Sequence, residues 1–341
     1  MDDLATLAQR TADRLATRHV GVVVAAVGGG AAEVRGAGAA GGPGGGPGPD
    51  TVFEIGSVTK VFTGLALARL AVAGAVELDE PLVRLLPAEA WVPSRGGREI
   101  TLQHLATHTS GLPRLPKGLL PAALLRPNAP DPYAGCTAER LLRGLAATRL
   151  RAVPGQRFRY SNLGAGLLGL ALARRAGTDF AGLVEREVSA PLGLTATGLA
   201  EVPERAARGH APNRRPVPAW HLADLAGAGG LRSTATDLVS FLRAQLGEGG
   251  EEMAKAVTLT HAVEHRMHPF ASVHLGWMSH RLHPGQGGYL QVWHNGRTGG
   301  FASFLGLDPE RGVAVAVLSN TRRPVDNEGF ALLRELQRGI G

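Results

Sequence analysis

A short extended segment that runs directly into a long apolar helix pattern constrains this sequence more than any other feature. Residues 53–60 read Phe-Glu-Ile-Gly-Ser-Val-Thr-Lys, and the run that follows them is largely apolar. The stretch 58–73 contains no proline and a single glycine, so it predicts a buried helix. Ser57 is then expected at the opening turn of this helix, with Lys60 one turn further along the same face.

The spacing of Ser57 and Lys60 suits nucleophilic catalysis. A serine hydroxyl is a poor nucleophile until a base removes its proton, and a lysine three residues later in a helix lies close enough to do so. Burial among apolar side chains lowers a lysine pKa toward the range that a base needs. The start of the helix also offers a free backbone N–H for a developing oxyanion. A serine cap beside a surface lysine gives the same pattern, so this motif is weak by itself.

The scarcity of lysine strengthens the catalytic interpretation of Lys60. The chain has 36 lysines and arginines, but only Lys60, Lys117 and Lys255 are lysines. This usage indicates that arginine serves wherever charge alone is sufficient. Arginine cannot lose its proton, so a lysine kept inside an apolar helix is better explained by its chemistry.

Length and composition exclude several classes of protein. With 341 residues and 44% hydrophobic content, the chain can bury a large core, as one large domain or two closely joined ones. A single cysteine, Cys136, leaves no internal disulfide and no zinc site built mainly from cysteines. No apolar run is long enough to span a bilayer, and the acidic start of the chain is unlike a secretion signal. We therefore expect a cytoplasmic protein.

The positive charge of the chain does not indicate nucleic-acid binding. The formal net charge of +7 comes from arginines that are scattered along the sequence, and aromatic residues make up only 5%. A nucleic-acid surface needs clustered basic residues with aromatic side chains for stacking. We expect neither a nucleic-acid partner nor a membrane partner.

The two ends of the chain carry the strand patterns. Residues 20–27 and 32–37 predict an antiparallel hairpin across three glycines. Four more strands are predicted near the C-terminus, followed by an amphipathic helix over 328–338. The predicted C-terminal strands are 273–278, 290–293, 301–308 and 313–319. The Gly-, Pro- and Ala-rich stretch 38–50 lacks the Gly-Lys-Ser/Thr of a phosphate-binding loop, and we interpret it as a linker.

Two histidine pairs have spacings that metal sites use. His104 and His108 are four residues apart in a predicted helix, but no carboxylate partner follows at motif distance. His261 and His265 fit the His-x-x-Glu-His pattern of some zinc peptidases, but they lack a long apolar helix around them and an evident third ligand. We interpret both pairs as structural and expect no metal.

Two further segments carry side chains that suit acyl chemistry. Tyr160 and Asn162 precede a predicted helix over 163–175, so both can point the same way from a loop. A phenol beside a lysine can pass protons, and an amide can donate to a substrate carbonyl and accept from the lysine. The glycine-rich residues 294–300 lie between two predicted strands, where a substrate could approach the backbone closely. Ordinary capping and hairpin turns give the same local patterns.

The Pro-rich stretch 116–132 is a candidate lid for a cleft.

Three of these motifs together resemble a known family. In chain order they are Ser57-x-x-Lys60, Tyr160-Ser161-Asn162 and His294-Asn295-Gly296. This set resembles the serine β-lactamase and penicillin-binding-protein superfamily, and most closely its class C β-lactamase and esterase-like branch. The resemblance covers nearly the whole chain, and three ordered motifs are specific where each alone is weak.

The resemblance implies a β-lactamase-like fold of the α/β class, in its α+β form. An antiparallel sheet formed by both chain ends would be flanked by helices, with a mostly helical domain inserted. The implied α/β domain comprises residues 1–80 and 220–341, and the inserted domain comprises residues 81–219. The active site is then expected in the cleft between them.

The resemblance also implies a role for each motif residue. Ser57 would be the nucleophile and Lys60 its base, while Tyr160 would pass protons to the leaving group. The backbone N–H groups of Ser57 and Arg297 would form the oxyanion hole, and Asn162 would orient the acyl or amide group. The implied catalytic residues are Ser57, Lys60, Tyr160 and His294, and the implied substrate-binding residues are Asn162, Asn295, Gly296 and Arg297.

The third motif departs from the family pattern. His294 stands where many relatives have lysine, which removes a permanent charge near the place where β-lactam and peptide carboxylates dock; Arg297 could supply that charge. We therefore expect an acyl-enzyme on Ser57 formed from a small-molecule ester or amide, without a cofactor, rather than a true β-lactamase. The same acyl-enzyme could be intercepted by an amine or alcohol, which would make the protein an acyltransferase. A non-catalytic binding protein on this scaffold would have lost Ser57 or Lys60. The oligomeric state is left open.

Overall fold

A large antiparallel sheet in the computed structural model takes its strands from both ends of the chain. The structure describes residues 3–41, 45–116 and 131–339. The strands are β1 (Gly21–Gly28), β2 (Ala31–Gly38), β3 (Phe53–Glu54), β4 (Arg232–Ser233), β5 (His265–His268), β6 (Ala271–Val273), β7 (Met278–Arg281), β8 (Leu290–Arg297), β9 (Ala302–Asp308) and β10 (Val313–Ser319). The large sheet has the order β2-β1-β10-β9-β8-β7-β6-β5, and β3 pairs with β4 in a separate two-stranded sheet.

Helices occupy most of the remaining described chain. They are α1 (Leu4–Ala16), α2 (Thr59–Val72), α3 (Leu102–Ala106), α4 (Ala138–Ala146), α5 (Asn162–Arg175), α6 (Phe180–Val184), α7 (Ala190–Leu192), α8 (Ala235–Gln245), α9 (Glu251–Ala262) and α10 (Asp326–Gly339). A π-helical turn, Glu185–Ser189, joins α6 to α7. Short 3-10 turns occupy Gly56–Val58, Leu82–Leu85, Ala223–Ala228 and Pro284–Gln286. None of the helices within the described ranges is both long and apolar enough to cross a membrane.

Each face of the sheet packs against its own set of helices. Successive side chains of a strand point to opposite faces, so alternate residues of β1 enter two different cores. Val22 and Val24 join the core under α1 and α10, whereas Val23 and Ala25 join the core that contains α2. Eleven of the fourteen residues of α2 are buried. The expectation of a helix buried on nearly all sides is confirmed.

The antiparallel sheet expected from both chain ends is confirmed, but its strands differ from the prediction in three places. Strand β8 extends through Arg297 and not only to residue 293, β5 was not predicted, and one predicted strand is absent. The run 273–278 is not a strand, because it forms the connection between β6 and β7. The His274 N–H donates to the Trp277 carbonyl at 2.8 Å, and Gly276 has a φ of +84°. This turn reverses the chain, although its apolar side chains are buried as a strand's would be.

Two other sequence features can be placed in the fold. His261 lies in the last turn of α9, whereas His265 begins β5, so the two do not share a helix face. Among residues 3–41, 45–116 and 131–339 there is no group of three or more His, Cys, Asp or Glu side chains that could hold a metal ion. Most of the candidate lid, residues 117–130, lies outside the described residues.

Candidate active site

Ser57 lies in a tight 3-10 turn between β3 and α2. Gly56 adopts a φ of +51°, which favours glycine, and a Cβ at this position would lie 2.7 Å from the backbone nitrogen of Arg297. A Cβ on Gly296, in β8, would lie 2.0 Å from the Ile55 carbonyl oxygen. The two glycines therefore allow the C-terminal end of β8 to touch the serine turn.

Lys60 is buried beside Ser57, with only 3% of its surface exposed. Its Nζ lies 3.1 Å from the Ser57 Oγ and 2.5 Å from the Ala228 carbonyl oxygen. Burial lowers the pKa of Lys60; nearby Arg114 lowers it further, and Tyr160 opposes these effects. A neutral amine can donate one N–H to the Ala228 carbonyl and turn its lone pair toward the serine hydroxyl. The arrangement suits proton transfer from Ser57 to Lys60.

Two threonines of α2 hold the Ala228 carbonyl in place. The Thr63 hydroxyl donates to the Gly227 carbonyl at 2.9 Å, and the Leu231 N–H donates to the Thr59 hydroxyl at 3.1 Å. Both bonds are buried and flank the lysine contact along the chain. The lysine's partner is therefore fixed to the same helix that carries the lysine.

Tyr160 lies next to Lys60 and is surrounded by an arginine and two histidines. The Lys60 Nζ is 4.9 Å from the centre of the Tyr160 ring, and the Arg114 guanidinium carbon is 5.3 Å from it. The His108 ring centre is 4.4 Å away and that of His294 is 6.4 Å away. The phenol, contributed from far along the chain, is thus placed beside the Ser57–Lys60 pair.

Asn162 begins helix α5, two residues after Tyr160. The Ser161 hydroxyl caps this helix by accepting the Gly164 N–H at 2.9 Å, and the Asn162 N–H donates to the Arg114 carbonyl at 2.9 Å. The Asn162 Oδ1 is buried and accepts no hydrogen bond from the part of the chain that is described. Asn162 is therefore held by its backbone, and its side chain brings to the cavity wall an acceptor that has no partner among the described residues.

His294 is a buried neutral imidazole. Only 1% of its surface is exposed, and its Nδ1 lies 2.7 Å from the Asn295 carbonyl oxygen. A carbonyl can only accept, so Nδ1 carries the proton and Nε2 is an acceptor. Burial lowers the pKa of His294 to about 3, with the nearby Lys60 adding to the effect. Nε2 is buried without a hydrogen-bond partner among the described residues.

The next two side chains of β8 go to different places. The Asn295 amide donates to the Asp326 carboxylate at the start of α10, which ties the strand to that helix. Arg297 is exposed. The Asn295 side chain is therefore engaged within the protein, whereas Arg297 is free to reach a bound molecule.

A cavity of about 540 Å³ opens at Ser57. Lys60 and His294 are buried and do not line it. The expected site residues that do line it are Ser57, Tyr160, Asn162, Asn295, Gly296 and Arg297. The structure thus brings all eight expected residues to one place, with the lysine and the histidine in the protein interior and the other six at the cavity.

Several cavity residues carry no sequence motif. These are the aromatic residues Tyr133, Trp220 and Trp293, together with the exposed Arg114 and Arg322. Tyr133 and Trp220 meet edge to face with ring centres 5.2 Å apart, and the backbone N–H of Trp220 donates to the buried Glu54 carboxylate at 2.9 Å. The chain has only three tyrosines and four tryptophans, and two of each line this cavity. That concentration is the one signal that could have pointed to them.

Comparisons with known proteins agree with this geometry. The family model described as Beta-lactamase matches residues 7–338. The chain is 30% identical over 288 residues to the D-alanyl-D-alanine-carboxypeptidase/endopeptidase AmpH of Escherichia coli K12, covering 81% of this chain and 72% of that protein. It is 34% identical over 160 residues to the esterase EstB of Burkholderia gladioli, covering 46% of this chain and 41% of that protein.

Solved structures show the same fold. The crystal structure of a class C β-lactamase from Rhodobacter sphaeroides superposes with a TM-score of 0.79 at 25% identity, over 98% of this chain and 99% of that one. The fold, the order of the motifs and the family match all agree. The chain therefore belongs to the β-lactamase family and is a serine hydrolase.

Proposed function

We propose that this hydrolase cleaves small-molecule esters or amides through an acyl-enzyme on Ser57. The observation that supports this most is the position of the Lys60 amine, which lies between the Ser57 hydroxyl and the Ala228 carbonyl. A buried amine with a lowered pKa can act as the base that the serine needs.

The proposed steps follow from the contacts. Lys60 takes the Ser57 proton as Oγ attacks the substrate carbonyl, and the backbone N–H groups of Ser57 and Arg297 receive the oxyanion. The proton passes from Lys60 through the Tyr160 phenol to the leaving alkoxide or amine, which departs as alcohol or amine. Water then attacks the ester on Ser57 and gives up a proton to the same pair; as the Oγ–acyl bond breaks, the pair returns a proton to Oγ and the acid is released. His294 stays neutral in these steps, so an imidazole acceptor and not a cation lies near the Tyr160 phenol.

The charge of the cavity favours substrates that carry a carboxylate. Three exposed arginines, Arg114, Arg297 and Arg322, line the cavity, and no acidic residue from the described ranges lines it. The relatives named above include a carboxypeptidase and an esterase. We therefore favour short esters and amides that carry a carboxylate, because the exposed arginines can pair with it.

Acyl transfer is the second candidate. The cavity of about 540 Å³ has room for an acceptor beside a small acyl group, and several of its walls are apolar or aromatic. An amine or alcohol bound there would intercept the acyl-enzyme in place of water. The ratio of transfer to hydrolysis depends on which acceptor is present.

The test is a substrate screen with a matched pair of variants. Wild type, Ser57→Ala and Ser94→Ala are assayed with p-nitrophenyl esters, D-amino-acid amides and nitrocefin, with and without amine acceptors. Ser94 is exposed, and its variant should behave as wild type. We expect Ser57→Ala to lose turnover and labelling by a fluorophosphonate. Labelling that persists in Ser57→Ala would remove Ser57 from the mechanism.

We also propose a cytoplasmic location. The single cysteine, Cys136, is buried and free, which fits the reducing conditions of the cytoplasm. Cell fractionation with an antibody to the protein tests this. Recovery in a periplasmic or extracellular fraction would contradict it.

A further inference from the structure

His108 is one of the few non-glycine residues in the described chain with a left-handed backbone. It follows helix α3, is only 2% exposed and has a φ of +56°. Histidine enters this region more often than most residues, but the conformation is uncommon outside glycine, so the surrounding contacts help to hold the residue there. His104 and His108 have a spacing that metal sites use, but the sequence favours a structural pair; the His104 ring caps the start of α3.

Three contacts join His108 to the segment around Tyr160. The Arg159 N–H donates to the His108 carbonyl at 2.7 Å, and the Ser161 N–H donates to the His108 Nδ1 at 3.3 Å. The imidazole lies against the Tyr160 ring with centres 4.4 Å apart and planes tilted by 42°. One residue thus binds the backbone on both sides of the tyrosine and contacts its ring.

The protonation state of His108 suits a residue that holds the Tyr160 segment in place, and not one that transfers protons. Nδ1 accepts the Ser161 N–H, so the ring proton is on Nε2. Burial, with Lys60, His294 and Arg114 nearby, holds the pKa of His108 well below its ordinary value. A protonated ring would lose the acceptor at Nδ1 and release the segment.

We propose that His108 is a positioning residue that fixes the Tyr160 phenol beside Lys60. This inference rests on the proposed function of the site, in which Tyr160 passes protons to the leaving group. His108 touches the tyrosine and its two neighbours but does not line the cavity, so it acts only through Tyr160.

A double-mutant cycle between His108 and Tyr160 tests the role. His108→Asn keeps an acceptor and tolerates the left-handed backbone, but it removes the ring. We expect kcat to fall about 10-fold or more with KM changed less than about 2-fold, because proton transfer is affected and binding is not. In a Tyr160→Phe background the same substitution should change kcat by less than about 2-fold, since the phenol it positions is gone.

Controls separate this inference from the proposed function. His104→Asn removes a histidine from the same segment and should leave kcat unchanged. His108→Gly, which suits the positive φ, is a second variant should the first not fold, and the same Tyr160-dependent loss is expected. If wild type shows neither Ser57 labelling nor turnover, the proposed function fails. If wild type turns over and the His108 loss is absent, or is equal in both backgrounds, the positioning role is wrong while the proposed function stands.

Discussion

One buried amine determines the chemistry at the scale of single residues. Lys60 has a serine hydroxyl and a carbonyl oxygen as its hydrogen-bond acceptors. Burial disfavours its charged form. A neutral amine here has a lone pair for the Ser57 proton, whereas a guanidinium has none.

The first prediction concerns this basicity. Lys60→Arg keeps a cation but removes the base, so acylation of Ser57 should slow by about 100-fold or more. The rate of fluorophosphonate labelling measures it. Lys255→Arg is the matched control, because Lys255 is an exposed partner of Glu251 at 2.8 Å. Labelling of Lys60→Arg at the wild-type rate would show that another group is the base.

Local spacing explains which single residues could be predicted. Ser57 and Lys60 are linked by one turn of chain, so the sequence alone brings them together. The Ala228 carbonyl could not be predicted, because a backbone oxygen has no residue type. The three contacts of His108 depend on a segment about fifty residues away. The hydrogen bond from the Asn295 side chain to Asp326 could not be predicted either, because it depends on where helix α10 begins.

At the scale of elements, the site depends on how closely strand β8 meets the serine turn. The space between them admits no Cβ at Gly296, and the Ser303 hydroxyl donates to the Ile55 carbonyl at 2.7 Å. This close approach places the Arg297 backbone beside Ser57. The proposed oxyanion hole therefore depends on the distance between strand β8, which carries the Arg297 N–H, and the turn that carries the Ser57 N–H.

The second prediction alters that distance. In Gly296→Ala the new Cβ would lie 2.0 Å from the Ile55 oxygen and 2.4 Å from the Ser303 hydroxyl, so β8 must move. We expect kcat/KM to fall by about 100-fold, because a displacement of this size misaligns the reacting groups.

Gly312→Ala is the control for this prediction. Gly312 has a positive φ, +64°, and no atom lies within 4 Å of the added Cβ. This variant should lose about 1 kcal/mol of stability and keep its kcat. Equal losses of kcat/KM in the two variants would contradict the role of the close approach.

Helices and strands could be predicted where the spacing of apolar residues along the sequence determined the structure. The hairpin β1–β2 and the strands β9 and β10 follow from alternation and turns. Residues 273–278 misled the prediction, because buried side chains such as Leu275 and Trp277 can belong to a turn as well as to a strand. Strand β5 was missed because its sequence, His-Arg-Met-His, has no strand signal.

At the scale of the whole molecule, folding places several histidines where they resist protonation. Burial lowers the pKa of His19 and of His261 to about 4, and that of His294 to about 3. Below its ordinary pKa of 6.5, the unfolded chain binds protons at these rings that the folded chain does not. Stability from these groups is therefore present above pH 6.5 and is lost as the pH falls toward 4.

The third prediction isolates one of these rings. Each pH unit between 6.5 and about 4 should cost about 1.4 kcal/mol of unfolding free energy through His261. Between pH 7 and pH 5, the unfolding free energy of His261→Gln should therefore fall by about 2 kcal/mol less than that of wild type. Urea titrations at the two pH values measure this, and substitution of the exposed His283 by Gln is the control. The same pH-dependent loss in wild type and His261→Gln would contradict the prediction.

The most direct test of the central claim is to find the acylated atom. Wild-type protein is reacted with a p-nitrophenyl ester or a fluorophosphonate, quenched in acid, digested and mapped by tandem mass spectrometry. We expect a single adduct on the peptide that contains Ser57, carried by Ser57 itself and lost in Ser57→Ala. An adduct on a different residue, or turnover of the ester with no adduct at Ser57 under any quench time, would contradict the account.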